Sequence, residues 1–111
     1  VISQISYGDF NALLTGDAGV LVEDKIAKIV GPVDVLKVPH HGSKTGMSEY
    51  FLDQLKPILA VISVATRNRY NHPSEEMLNL LKSNQIKTLR TDTDGEIEVV
   101  SDGKEFKVFT N

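Results

Sequence analysis

The sequence predicts an α/β domain: a mixed sheet with a β-α-β-α-β middle, three helices and a hairpin at each edge. Three observations predict it. Residues 33–38 and 58–64 are short apolar runs rich in β-branched side chains, as buried strands are. Helical periodicity with start and stop signals fills the gaps around them. Both ends of the chain alternate about turn pairs, Gly8-Asp9 and Asp102-Gly103.

Taken in order, residues 2–7 and 10–15 read as two strands joined by Gly8-Asp9, the usual hairpin pair in reversed order. Val22, Ile26, Ile29 and Val30 then fall at i, i+4, i+7 and i+8, one apolar stripe of a helix that Gly31-Pro32 ends. After the strand at 33–38 and a polar loop, Ser48 is a candidate N-cap for a helix burying Phe51, Leu52 and Leu55, stopped by Lys56-Pro57. The run 58–64 is apolar on both faces, which suits a central strand. Pro73-Ser74-Glu75-Glu76 opens a third helix with Met77, Leu78 and Leu81 inside and acids in the first turn. A strand follows at 86–91, then a hairpin pairing 96–100 with 105–109. There is no repeat, low-complexity tract or linker.

At 111 residues and 41% hydrophobic, the chain suits one domain with a modest core. No run approaches the roughly 20 apolar residues that span a bilayer. It opens directly in a strand without Met, so a piece of a longer protein is expected. Zero cysteines exclude a disulfide framework, a thiolate metal site and a cysteine nucleophile. The net charge of −3 gives no general case for nucleic acid binding, but Lys37, Lys44, Arg67 and Arg69 flank the histidines. That rim suits an anionic substrate, or equally is ordinary solvated surface.

All three histidines, and Asp17, follow strand ends, where ligands of α/β sheets collect. Asp17 after Gly16 is aimed into a cleft or is simply a turn or capping aspartate. His40 and His41 are adjacent, so one binds a given metal while the other donates a hydrogen bond, acts as acid or base, or reaches a second metal. A turn pair bonded to loop carbonyls is the plainer reading. His72 precedes Pro73 and a helix N-terminus, which suits an anion, and Arg69 and Tyr70 are placed to hold a phosphate oxygen. A solvated loop with an aromatic lid explains the same residues. Asp92, Asp94 and Gly95 match a calcium loop only in spacing, and their ligand set stops too soon, so a simple turn is expected. Asp17 with one or two histidines cannot fill two hydrolytic metal positions, and no His-x-His-x-Asp-His cluster occurs.

The order Leu13-Leu14-Thr15-Gly16-Asp17, then Val33-Asp34-Val35-Leu36-Lys37-Val38-Pro39-His40-His41-Gly42-Ser43, resembles the C-terminal half of a metallo-β-lactamase-fold hydrolase. With Ala60-Val61-Ile62-Ser63-Val64, Asn68-Arg69-Tyr70-Asn71-His72-Pro73-Ser74 and Leu89-Arg90-Thr91-Asp92, it is similar to the hydrolase domain of bacterial ComEC-type competence proteins. The likeness covers about residues 10–100.

The resemblance implies that residues 1–111 are one partial domain of an αββα sandwich whose N-terminal half is absent. It implies a site for two Zn²⁺, with Mn²⁺ the alternative, and a nuclease or phosphodiesterase acting on DNA during uptake. Asp17 would bridge the metals and His41 would be a late ligand, by similarity to phosphocholine esterases that share the doubled histidine, with His40 the alternative ligand. His40, His72 and Arg69 would serve the chemistry, His72 as a further ligand or a substrate contact. Asn71 replaces the glycine of the family's Tyr-Gly-His-Pro pattern, and Asn tolerates positive φ. The parent would carry a membrane channel, with this domain soluble and outside the cytoplasm. The His-x-His-x-Asp-His cluster belongs to the preceding half, so this piece alone would be inactive and, with apolar surface bared, prone to self-association. The alternatives are a free-standing hydrolase of small phosphoesters or phosphocholine, and a metal-free binding or assembly module.

Overall fold

The computed structural model describes residues 2–16, 20–39, 47–66 and 72–110, Val20 by its backbone alone. The chain begins with an antiparallel hairpin of β1 (Ser3–Tyr7) and β2 (Phe10–Leu14), with Tyr7 opposite Phe10 across a two-residue turn. Gly8 holds φ 58, a region glycine enters without strain. A Cβ there would lie 2.4 Å from the Gly103 carbonyl oxygen, which accepts a hydrogen bond from the Asp9 N–H. The turn of the first hairpin is thus pressed against the turn of the last.

Three helical crossovers follow. Helix α1 (Val20–Val30) ends at Gly31, whose N–H bonds the Ala27 carbonyl at 3.2 Å, and leads to β3 (Val35–Lys37). In α2 (Glu49–Leu55) the Ser48 hydroxyl accepts from the Phe51 N–H at 3.1 Å, satisfying one orphan donor of the first turn. Phe51, Leu52 and Leu55 are buried as expected, and Lys56 closes the helix in the left-handed region at φ 44. After β4 (Leu59–Ile62), Ser74 caps α3 (Glu75–Ser83) in the same way, accepting from Met77 at 3.1 Å. Strand β5 (Lys87–Arg90) runs straight into the single turn α4 (Thr91–Asp94), and β6 (Ile97–Ser101) pairs with β7 (Phe106–Thr110).

The main sheet has the order β1-β2-β3-β4-β5, antiparallel at β1 and parallel through the other four, so it is a mixed sheet. Its helical face carries the larger core, in which Leu13, Leu36, Val38, Ala60 and Ile62 meet Ala27, Met47, Phe51, Met77 and Leu81. Burying each Leu, Ile, Phe or Met side chain contributes about 1.5–3 kcal/mol. The other face packs Phe10, Ala12, Val35 and Leu59 against Val99, Phe106 and Val108 of the last hairpin, with the Phe10 and Phe106 rings tilted at 5.6 Å.

Two expectations need correction. The terminal hairpin is not an edge of the main sheet but a separate two-stranded sheet laid across its face. Its alternation puts Val99, Phe106 and Val108 on one side, which packs against the cluster of Phe10, Ala12, Val35 and Leu59. The second correction concerns α1. Its buried line runs through Glu23 and Ala27, while Val22 is half exposed and Ile29 is 83% exposed. Ile26 and Val30 do pack against the core, so the apolar stripe is split between two faces.

Gly8 and Gly31 both hold positive φ, but only Gly8 is crowded, since a Cβ on Gly31 would meet nothing within 4 Å. Gly31→Ala should therefore cost only the left-handed backbone penalty, about 1 kcal/mol. Gly8→Ala adds a collision with backbone and should cost about 2–4 kcal/mol. Urea midpoints of the two variants check the order, and equal losses would refute the contact with Gly103.

Candidate functional site

Strands β2, β3 and β4 are adjacent and parallel, so their carboxyl ends lie side by side on one edge of the sheet. The strands end at that edge at Leu14, Lys37 and Ile62. Side chains and backbone stitch the three ends together. Thr15, fully buried, donates its hydroxyl to the Lys37 carbonyl at 2.6 Å and ties β2 to β3. The Val38 N–H donates to the Val61 carbonyl at 2.8 Å and ties β3 to β4. Thr91 accepts from the Val64 N–H at 2.8 Å and donates to the Val64 carbonyl at 2.9 Å, fixing the chain beyond β4. Ser48 Oγ donates to Asp24 Oδ1 at 2.7 Å, fastening the start of α2 to α1.

Asp17, His40, His41 and Arg69 lie outside the described residues, as do Gly42, Ser43, Lys44, Arg67, Tyr70 and Asn71. In the chain Asp17 directly follows Gly16, and His40 directly follows Pro39, so two of the three exits lead at once into candidate residues. The third leads through Arg69 to His72. His72 is half-buried and joined to Pro73 by a cis peptide bond, one residue ahead of the Ser74 cap. Among the described residues no group of three or more His, Cys, Asp or Glu is placed to hold a metal.

The turn reading of Asp92 and Asp94 agrees with the structure. Arg90 grips Asp92 with two bonds, Nε to Oδ1 at 3.0 Å and Nη2 to Oδ2 at 2.7 Å, while Asp94 accepts from the Arg90 N–H at 2.8 Å. The Arg90 bond holds the Asp92 carboxyl below the usual carboxylate range, and in return Arg90 is held above its ordinary value. Both acids stabilise α4 and thereby Thr91. At the opposite, amino edge of the sheet a shallow pocket is lined by Asp9, Asn11, Asp34 and Ile58. Asp34 there accepts from the Asn11 N–H at 2.8 Å, a structural bond remote from the candidate edge.

One acid went unnoticed in the sequence. Glu23 is fully buried, and neither carboxyl oxygen has a hydrogen-bond partner among the described residues. Burial, with Asp24 adding repulsion, pushes its carboxyl up to about 8. Its only sequence signal was a charge one residue away from the apparent stripe of α1.

No protein-family model matches the chain. Curated proteins do. It is 42% identical over 93 residues to ComE operon protein 3 of Bacillus subtilis, and 38% over 92 residues to Recombination protein 2 of Haemophilus influenzae. It is 35% identical over 100 residues to Competence protein ComA of Neisseria gonorrhoeae. These matches take in 82%, 83% and 87% of this chain but 12%, 12% and 14% of those proteins. The chain therefore spans about an eighth of its curated relatives, whose names point to the competence family. No described helix is long and apolar enough to cross a membrane.

Thr91→Val keeps the shape and removes both bonds to Val64, which should cost about 1–3 kcal/mol and speed exchange of the Val64 amide. An unchanged amide would deny Thr91 its anchoring role. Asp92 has a lowered folded pKa, so its stabilisation is present above its ordinary value of 3.8 and lost as pH falls through the folded value. The bridge is partly solvated, so Asp92→Asn should cost about 0.5–1 kcal/mol at pH 7. The gap between variant and parent should narrow as pH falls below 3.8, as read by thermal melts.

Proposed function

We propose that this chain, similar to competence proteins over most of its length, is the C-terminal part of a metal-dependent phosphodiester hydrolase acting on DNA during uptake. The observation that carries the reading is the parallel alignment of β2, β3 and β4, whose carboxyl ends lead into Asp17, His40-His41 and the stretch ending at His72. Ligands of open α/β sheets gather in the crevice beyond such ends.

The donor set fits a borderline metal such as zinc, with manganese the alternative, because carboxylate and neutral imidazole are its ordinary ligands. Asp17 and His41, with His40, would hold it. When bound, such a metal polarises a phosphoryl group and supplies hydroxide near neutral pH. Arg69 pairs with phosphate oxygens, and His72, beside the N-terminus of α3, lines the anion side of the crevice. The second histidine of the pair serves as acid or base. Asp17 and two histidines are too few for two metals, so the remaining ligands belong to a preceding half-domain of the parent chain.

That half-domain also accounts for bare apolar surface. Ile5, Tyr7 and Leu14 lie on the same sheet face as Phe10 and Ala12, yet remain 51%, 58% and 37% exposed. A second sheet laid there would complete an αββα sandwich. The parent would couple this domain to a membrane channel.

Metal content distinguishes the readings. A longer chain that includes the preceding half should bind two zinc or manganese ions, and this chain alone fewer. In that longer chain His41→Ala should lower turnover of DNA at least ~100-fold without unfolding the protein. Undiminished turnover would remove His41 from the site. Absence of metal in both chains after zinc or manganese is supplied would favour a binding module.

A further inference from the structure

The outer strands of the main sheet differ in what they offer a further strand. On one side β5 carries Lys87 and Arg90 and runs straight into α4, so charge and a helical turn stand where another strand would pair. On the other side β1 reads Ser3-Gln4-Ile5-Ser6-Tyr7, with no charge, no proline and no bulge in its register, and every residue of it is exposed. Those are the devices by which proteins blunt a sheet edge, and β1 has none of them. Among the described residues no strand pairs with its outer side.

The hairpin register says which backbone groups are open. Tyr7 and Phe10 flank a two-residue turn and so exchange backbone bonds, and alternation gives the same exchange to Ile5 with Ala12 and to Ser3 with Leu14. Gln4 and Ser6, between them, turn N–H and C=O outward. A second β1 laid antiparallel and centred on Ile5 sets Gln4 opposite the partner's Ser6 and Ser6 opposite the partner's Gln4, so each outward group is satisfied. Ile5 then faces the partner's Ile5 in the closely spaced, non-hydrogen-bonded position, and Tyr7 faces the partner's Ser3. Ile5 and Tyr7 are 51% and 58% exposed in the single chain, so the pairing also covers apolar surface. Two uncharged strands meet without repulsion, whereas two β5 strands would bring together Lys87 and Arg90 of both copies.

We propose that the β1 edge is a self-pairing surface: two copies of this chain join β1 to β1 about a two-fold axis at Ile5 and merge their main sheets into one. Each copy uses its β1 edge once, so assembly closes at a dimer. The contact is a short run of backbone bonds with a few apolar atoms, well below the roughly 800 Å² per partner of a standard interface, so the dimer is weak and its population follows concentration. The pairing lies in the plane of the sheet, leaves its faces free for another layer, and stands independently of the hydrolase reading.

The test follows this chain, free of metal, from ~10 µM to ~1 mM by sedimentation equilibrium and amide hydrogen exchange. The mass should rise from one chain toward two. Over the same range the Gln4 and Ser6 amides should slow at least ~10-fold, while those of Ser3, Ile5 and Tyr7, bonded to β2 in both states, should change far less. Ile5→Lys sets like charges against each other across the two-fold and should raise the dissociation constant at least ~5-fold. A chain that stays monomeric at ~1 mM overturns the proposal, as does growth beyond two chains. A dimer that leaves the Gln4 and Ser6 amides unprotected, or that Ile5→Lys does not weaken, is built elsewhere and overturns it too. If Ile5→Lys does not fold, the amide pattern of the unsubstituted chain decides alone.

Discussion

Strands that run the same way in one sheet cannot be joined by turns; each return must cross the sheet, and here α1, α2 and α3 supply the crossings. That requirement has a geometric consequence on which the rest of the molecule depends. Every exit from β2, β3 and β4 is on the same edge, and every helix then starts from that edge and runs back over the core. Apolar residues fill the region under the helices, so polar chemistry is confined to the exits. Thr15, Val38 and Thr91 hold the exits in register through bonds of 2.6–2.9 Å between neighbouring strand ends.

The two faces of the sheet are finished differently. The helical face is closed by large side chains such as Phe51, Leu52, Leu55, Met77 and Leu81, each under 3% exposed. The opposite face is covered by a two-stranded hairpin over Phe10, Ala12, Val35 and Leu59, while Ile5 and Tyr7 of β1 stay more than half exposed. The contact of Gly8 with Gly103 fixes where that hairpin lies, because the close approach of two backbones leaves little freedom to slide. A small cover pinned at one corner leaves Ile5 and Tyr7 of β1 as exposed apolar side chains.

Much of the fold was legible because local rules and tertiary structure agreed. Ser48 and Ser74 cap helices through their own hydroxyls, Gly31 and Lys56 stop helices in the left-handed region, and Gly8-Asp9 closes a two-residue hairpin. These effects are carried by residues close in sequence. What failed were choices that local pattern cannot make. The alternation of the last hairpin does not say whether it pairs at an edge or stacks on a face. The periodicity of α1 offers two faces a residue apart, and packing against α2 selected the one with Glu23 and Ala27. Strand ends in the sequence pointed to this edge as a candidate, while Thr15, Ser48 and Thr91, which tie its elements together, carry no motif. Asp17, His40, His41 and Arg69 lie outside the described residues.

Glu23 joins these two aspects of the molecule. A helix that needed only to cover the core would place Val22 or Ile29 inward and leave a glutamate in water, which is the cheaper arrangement for each residue alone. The structure does the reverse, exposing Ile29 and burying Glu23. Such an inversion persists where a requirement other than local stability holds it. Glu23 sits in the first turn of α1, next to the Asp24–Ser48 bond that fastens α1 to the start of α2.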